Sequence, residues 1–150
     1  MSVLKSKRKE SEFKVIAEAM NIRRELTTYV LRDFAVTGKL EYMEEFLLND
    51  ERTAILHYVR QAYSCLEMAN SIFINCIEDY NERRSYQNKA IGYYNCVKQE
   101  LRFVADYMPS KINLNKYVRC IQSIDGEIGL IKQWRRADNK IRKRIEEITG

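Results

Sequence analysis

The stretch NLNKYVRCIQSIDGEIGLIKQWRRADNKIRKRI, residues 113–145, decides the fold. Within it Tyr117, Ile121, Ile124, Ile128, Ile131 and Trp134 recur at steps of three and four, the spacing that lines one face of an α-helix. Asn113 or Asn115 can cap its first free N–H groups. Beyond Trp134 the same helix is expected to continue as a strongly basic segment to Ile145.

Working outward, the same period recurs three times upstream. A first helix is expected from about Glu12 to Leu31, with Phe13, Ile16, Met20, Leu26 and Val30 on one stripe and Ser11 as N-cap. Gly38 breaks the pattern. Residues 39–49 are ambiguous, because Tyr42, Phe46 and Leu47 are helix-spaced yet suit a packed loop. A second helix is expected from a cap at Asp50 to about Glu78, with Leu56, Val59, Tyr63, Leu66, Ala69 and Phe73 inward. A third runs from about Glu82 to Tyr107, carries Tyr86, Ala90, Tyr93, Val97, Leu101 and Val104, and stops before Pro109. No strand-like alternation is sustained and no internal repeat is visible. Four such helices on short connections predict an all-α fold, an antiparallel up-down four-helix bundle over residues 12–145. Residues 1–11 read as a basic N-terminal arm and 146–150 as a short tail. Gly126 and Gly129 read as a close helix–helix approach.

Composition agrees with that reading. The 150 residues include one proline and five glycines, where average usage would give roughly seven and ten, so collagen-like, linker-like and turn-rich β architectures are excluded. An apolar fraction of 45% supports a packed core in one domain. Cys65, Cys76, Cys96 and Cys120 form no C-x-x-C pair, so half-buried reduced thiols are expected rather than a disulfide framework or a zinc site. Met1 to Glu10 is polar and basic, and no run of about 18 apolar residues follows, so a cytoplasmic protein with no membrane segment is expected. The tail from Arg135 to Arg144 has too few apolar residues to anchor on a membrane surface.

Catalytic constellations are missing. His57 is the single histidine, which excludes a Ser/His/Asp set and the paired Glu-x-x-His of a di-iron bundle, and it reads as a packed or surface residue. Neither G-x-x-x-x-G-K-[ST] nor G-x-G-x-x-G occurs. The acidic pairs Glu44–Glu45, Glu78–Asp79 and Glu146–Glu147 are scattered and read as caps and solvated faces. We therefore expect no catalytic residue, no metal ligand set, no cofactor and no enzymatic activity.

The net charge of +5 becomes informative once divided. Residues 1–9 carry +4, residues 132–144 carry +6, and the remainder carries −5. An up-down bundle brings the start of the first helix, the end of the fourth and the turn between the second and third to one pole. That pole would gather Lys5, Lys7, Arg8, Lys9, Arg83, Arg84, Lys132, Arg135, Arg136, Lys140, Arg142, Lys143 and Arg144, partly offset by Glu78, Asp79 and Glu82. Such density attracts nucleic acid through counterion release. An acidic protein partner, or a merely solvated basic face, is compatible with the same charges. Tyr80 and Tyr86 bracket Arg83–Arg84 and could stack on unpaired bases. Tyr58, Tyr63, Tyr86, Tyr93, Tyr94 and Tyr117 lie on or beside the apolar stripes as core or interface anchors. Aromatic residues left on two faces suggest self-association.

Three segments carry a family resemblance. The opening Ser2–Ser11, the pair Ala69-Asn70-Ser71-Ile72-Phe73 and Tyr80…Arg83-Arg84-Ser85-Tyr86-Gln87, and the closing Ile131-Lys132-Gln133-Trp134-Arg135-Arg136-Ala137-Asp138-Asn139-Lys140 resemble small phage and bacterial four-helix-bundle proteins. These are the accessory variability determinant proteins of diversity-generating retroelements, similar in fold to the ribosomal-RNA intervening-sequence proteins. The resemblance spans nearly the whole chain and implies a homopentameric barrel that binds the element's reverse transcriptase and engages template RNA or cDNA during mutagenic reverse transcription. The family's basic surface would map onto Lys5, Lys7, Arg8, Lys9, Arg135, Arg136, Lys140, Arg142, Lys143 and Arg144. One departure is that members can be far more basic overall, whereas the body of this chain is acidic. The alternative from the residues alone is a protein–protein scaffold whose basic pole docks an acidic partner without touching nucleic acid.

Overall fold

A computed structural model describes residues 3–149, with side chains from Lys14 onward. The described residues form four α-helices, α1 (Val3–Leu31), α2 (Tyr42–Asn70), α3 (Ile77–Tyr107) and α4 (Leu114–Thr149). Among the described residues no strand occurs. Each helix packs against its two neighbours, and α4 closes back on α1.

Paired side chains fix the directions. Along the α1–α2 seam Arg23 lies over Tyr63 and Arg52 donates to the Val30 carbonyl, so the numbers run oppositely. The α2–α3 seam pairs Tyr58 with Tyr93 and Glu51 with Glu100. In α3–α4, Arg83 meets Asp138 and Lys98 meets Asp125. Ser123 donates to Glu25 between α4 and α1, and Glu127 faces Glu18. All four seams are antiparallel, giving an up-down-up-down four-helix bundle.

Several element boundaries differ from the sequence reading. Helix α1 begins at Val3 rather than Glu12, so the basic arm is helical backbone from Val3 and Ser11 lies inside the helix rather than before it. The core stripe of α1 is Val15, Ala19, Ile22, Leu26, Tyr29 and Val30, with Ile16 and Met20 on its flank. The Phe13 side chain lies outside those described. Helix α2 starts at Tyr42, where the Glu41 N–H donates to Glu44 Oε1 at 2.9 Å, a capping-box contact, so Asp50 is interior and residues 42–49 are helical. It ends at Asn70, which leaves Phe73 in the turn, 77% exposed rather than inward. Helix α3 starts at Ile77, not Glu82, and α4 runs to Thr149, so residues 146–149 are no separate tail. Asn113 does cap α4, its Oδ1 accepting the Lys116 N–H at 3.1 Å.

Two expectations about small residues are also corrected. A Cβ at Gly126 or Gly129 would meet nothing within 4 Å, so neither glycine marks a close helix approach. Of the four free thiols, Cys65 and Cys120 are buried and Cys96 is intermediate, but Cys76 is exposed in the α2–α3 turn. His57 is exposed.

The core is mostly aliphatic, with Trp134, Tyr94 and Phe34 its largest wholly buried side chains. Phe34 closes one end of it. It sits in a single 3-10 turn (Asp33–Ala35) whose three residues all have left-handed φ, 52°, 58° and 54°, a conformation costing non-glycine residues about 1–2 kcal/mol each. Burial of the Phe34 ring edge-on to Tyr29 at 5.6 Å and pairing of Asp33 with Arg52 hold the turn. Glu127 is an exception in the core, wholly buried with neither carboxyl oxygen hydrogen-bonded. Burial, with Glu18 nearby, pushes its pKa up to about 9, so it is protonated at neutral pH.

Candidate nucleic-acid interface at the basic pole

The antiparallel register brings the start of α1, the α2–α3 turn and the end of α4 to one pole, as the charge reading requires. Asp79 Oδ2 accepts the Asn75 N–H at 3.0 Å and fastens the turn before α3. That bond and Cys76 hold the Asp79 carboxyl below the usual range. The next residue, Tyr80, is buried, its hydroxyl donating to Asn139 Oδ1 at 2.6 Å. Arg84 and Arg142 lie over the Tyr80 ring at 5.2 and 5.4 Å, distances at which the ring quadrupole attracts a guanidinium. Arg84 also donates to the Arg135 carbonyl at 3.0 Å and to Asn139. Arg135 in turn donates to Asn88 Oδ1 at 2.7 Å. Burial, with the charges of Arg84 and Arg136, lowers the Arg135 pKa from its usual value.

Arg84, Arg135 and Arg142 are thus gathered around Tyr80 and Asn139. Among the described residues, Arg142 is the one of this group with an acidic partner, Glu146 at 2.8 Å, which with Tyr80 raises its pKa. Lys132, Arg136, Lys140 and Lys143 are exposed. Their steps of four, four and three place them along one outward stripe of α4 beside that cluster. Arg144 is exposed as well. Helix α1 begins at this pole, but the side chains of Lys5, Lys7, Arg8 and Lys9 lie outside those described.

Arg83 does not belong to the surface. It is buried, its Nε 3.1 Å from Asp138 Oδ2, its Nη1 donating to the Ile72 carbonyl at 3.0 Å and its guanidinium 4.9 Å over Trp134. Gln87 donates to the same carboxylate at 2.9 Å. This neutralised layer closes the core beneath the pole. The base stacking that the sequence left possible at Tyr80 and Tyr86 finds little free ring face, since the Tyr80 ring is covered by arginines and Tyr86 is half-buried against the core, with Lys89 over its ring. Comparison with protein-family models, curated proteins and solved structures finds no match.

Reading the sequence missed Asn88 and Asn139, which orient the arginines, and Asp138, which removes one. A signal for Arg83 and Asp138 exists. Both fall on core stripes, after Tyr80 in one helix and after Ile131 and Trp134 in the other, and a base and an acid on facing apolar stripes pair. Among the described residues, no three His, Cys, Asp or Glu side chains are placed to hold a metal ion. No helix is long and apolar enough to cross a membrane among them.

Proposed function

We propose that this chain is a non-enzymatic accessory protein that binds nucleic acid through its basic pole, in the manner the family resemblance implies. It would assemble as a homo-oligomer, a pentamer by that resemblance, and bind both the reverse transcriptase of a diversity-generating retroelement and its RNA or cDNA in the cytoplasm. The observation that carries the nucleic-acid reading is the α3–α4 face. There an outward stripe of lysine and arginine lies beside arginines tied to asparagines, carbonyls and a tyrosine ring. Cations held this way keep their charge for phosphate, and each phosphate contact releases a counterion.

RNA binding measured against salt tests the reading. Replacing Lys132, Arg136, Lys140 and Lys143 with alanine is expected to reduce the log–log slope by roughly 0.7–0.9 for each lost contact and to weaken binding across sequences. An unchanged slope and affinity would reject the site. Light scattering reads the oligomer, and a clean monomer of 17.9 kDa would reject the pentamer. A reverse transcriptase gene beside this one, with a template and variable repeat pair, is the corresponding expectation for the element.

A further inference from the structure

Bases that make side-chain hydrogen bonds in this chain are held in two different ways. Arg52, Arg83, Lys98, Lys111 and Arg142 each meet a carboxylate, from Asp33, Asp138, Asp125, Glu44 and Glu146. Arg84 and Arg135 do not. Arg84 donates to the Arg135 carbonyl and to Asn139 Oδ1, and Arg135 donates back across the α3–α4 seam to Asn88 Oδ1. Each of these acceptors is neutral. The two guanidiniums are therefore oriented while their charge is left uncancelled, and among the described residues neither has an acidic partner.

Their donors are not used up either. A guanidinium offers five N–H groups, of which these bonds take two from Arg84 and one from Arg135. The Nε atoms of both are buried without a partner, an arrangement that costs free energy unless something else in the site offsets it. Arg136 adds a third cation. Burial first, then the charges of Arg84 and Arg136, lower the Arg135 pKa, so three guanidiniums share a short range. A recess lined by one sign of charge concentrates the opposite sign.

We propose that Arg84, Arg135 and Arg136 bind the terminal phosphate monoester of a nucleic-acid strand. This rests on the nucleic-acid reading of the basic pole and names the phosphate that the pole prefers. Charge favours a strand end over an internal diester. A monoester carries about −1.5 to −2 charges at neutral pH and three acceptor oxygens, which suits several uncancelled guanidiniums better than the single charge of a diester. Shape favours it as well. Arg84 and Arg135 are half-buried, whereas Lys132, Lys140 and Lys143 are exposed, so the site is recessed beside the stripe. A monoester is substituted on one side and can enter end-on, while a diester must bring a sugar on each side. Arg136 belongs to both the cluster and the stripe, so the rest of the strand has a cationic path along α4. That continuity selects a nucleic acid over a phosphorylated protein side chain, which would fill the cluster and leave the stripe unused.

The test is fluorescence anisotropy of the full chain with one short single-stranded RNA, labelled internally, in three forms: 5′-phosphate, 3′-phosphate, and hydroxyl at both ends. At least one phosphorylated form is expected to bind about tenfold tighter than the hydroxyl form. R84Q/R135Q should bring that ratio close to one. So should N139D, which keeps an acceptor for Tyr80 and Arg84 but sets a carboxylate among the guanidiniums. K132A/K140A should weaken all three forms alike and preserve the ratio. Thermal melts confirm that the variants fold. Equal binding of the three forms by the unaltered chain would overturn the proposal and leave the nucleic-acid reading standing, whereas binding of none would overturn both. A preference that survives both R84Q/R135Q and N139D would place the terminal phosphate elsewhere and sink this site. A phosphoserine peptide bound as tightly as the phosphorylated strand would give the site to a protein partner instead.

Discussion

Successive residues on a helix point about 100° apart, and α3 uses that step to send Arg83 inward to Asp138 while Arg84 crosses Tyr80 toward the surface. The consequence is testable by removing one partner. Asp138→Ala strands a buried guanidinium and is expected to cost about 3–5 kcal/mol of stability by urea unfolding. Replacing the pair together, Arg83→Met with Asp138→Leu, should recover most of it. Glu127 supplies a second prediction. Its folded carboxyl holds a proton to about pH 9 while the unfolded one releases it near 4.5. Its contribution is therefore complete below pH 4.5 and is lost as pH rises toward 9, by up to about 1.4 kcal/mol per pH unit for one proton. Glu18 of α1 faces it and opposes its charge. Glu127→Gln should flatten urea midpoints measured from pH 5 to pH 9.

At the scale of the element, period and punctuation carry most of the information. Ala90, Val97, Leu101 and Val104 of α3, Ile124, Ile128, Ile131 and Trp134 of α4, the stop before Pro109 and an asparagine cap on α4 were legible, because there the apolar period and the cap residue agree, whereas Tyr93 lies on the flank and Tyr94 takes the core position. The start of α2 was not. Tyr42 and Phe46 are helix-spaced but exposed, out of phase with the buried stripe that follows, so the period did not fix where the helix begins. Glu41 is also an unusual cap residue. The glycines of α4 misled in the opposite sense, suggesting a tight crossing where a Cβ finds open space. Mid-helix glycine costs about 0.5–1 kcal/mol relative to alanine, so Gly126→Ala and Gly129→Ala should each raise stability by about that much. Calorimetric melts of the two variants check it, and a lowered Tm would restore the packing role.

At the scale of the whole molecule, charge division along the sequence combined with topology located the basic pole. It could not tell which bases stay outside, because exposure depends on the register between helices. The opposite pole went unread, since its apolar side chains come from the start of one helix and the end of the next. The two ends therefore differ, with lysines and arginines gathered on the α3–α4 face at one and exposed aromatic side chains at the other, joined by a core that belongs to neither.

The cyclic packing of neighbours also bears on how the chain acquires its structure. Three of the four seams join helices adjacent in sequence, and only α1 with α4 requires the chain to close on itself. Local seams can form early at small entropic cost, and the long closure is expected last. Ile22→Val, in α1, is expected to cost about 0.5–1.5 kcal/mol and to appear in the unfolding rate. Leu101→Ala, in α3, should slow refolding. Stopped-flow chevrons of the two variants would show whether the ring of helices shuts in that order.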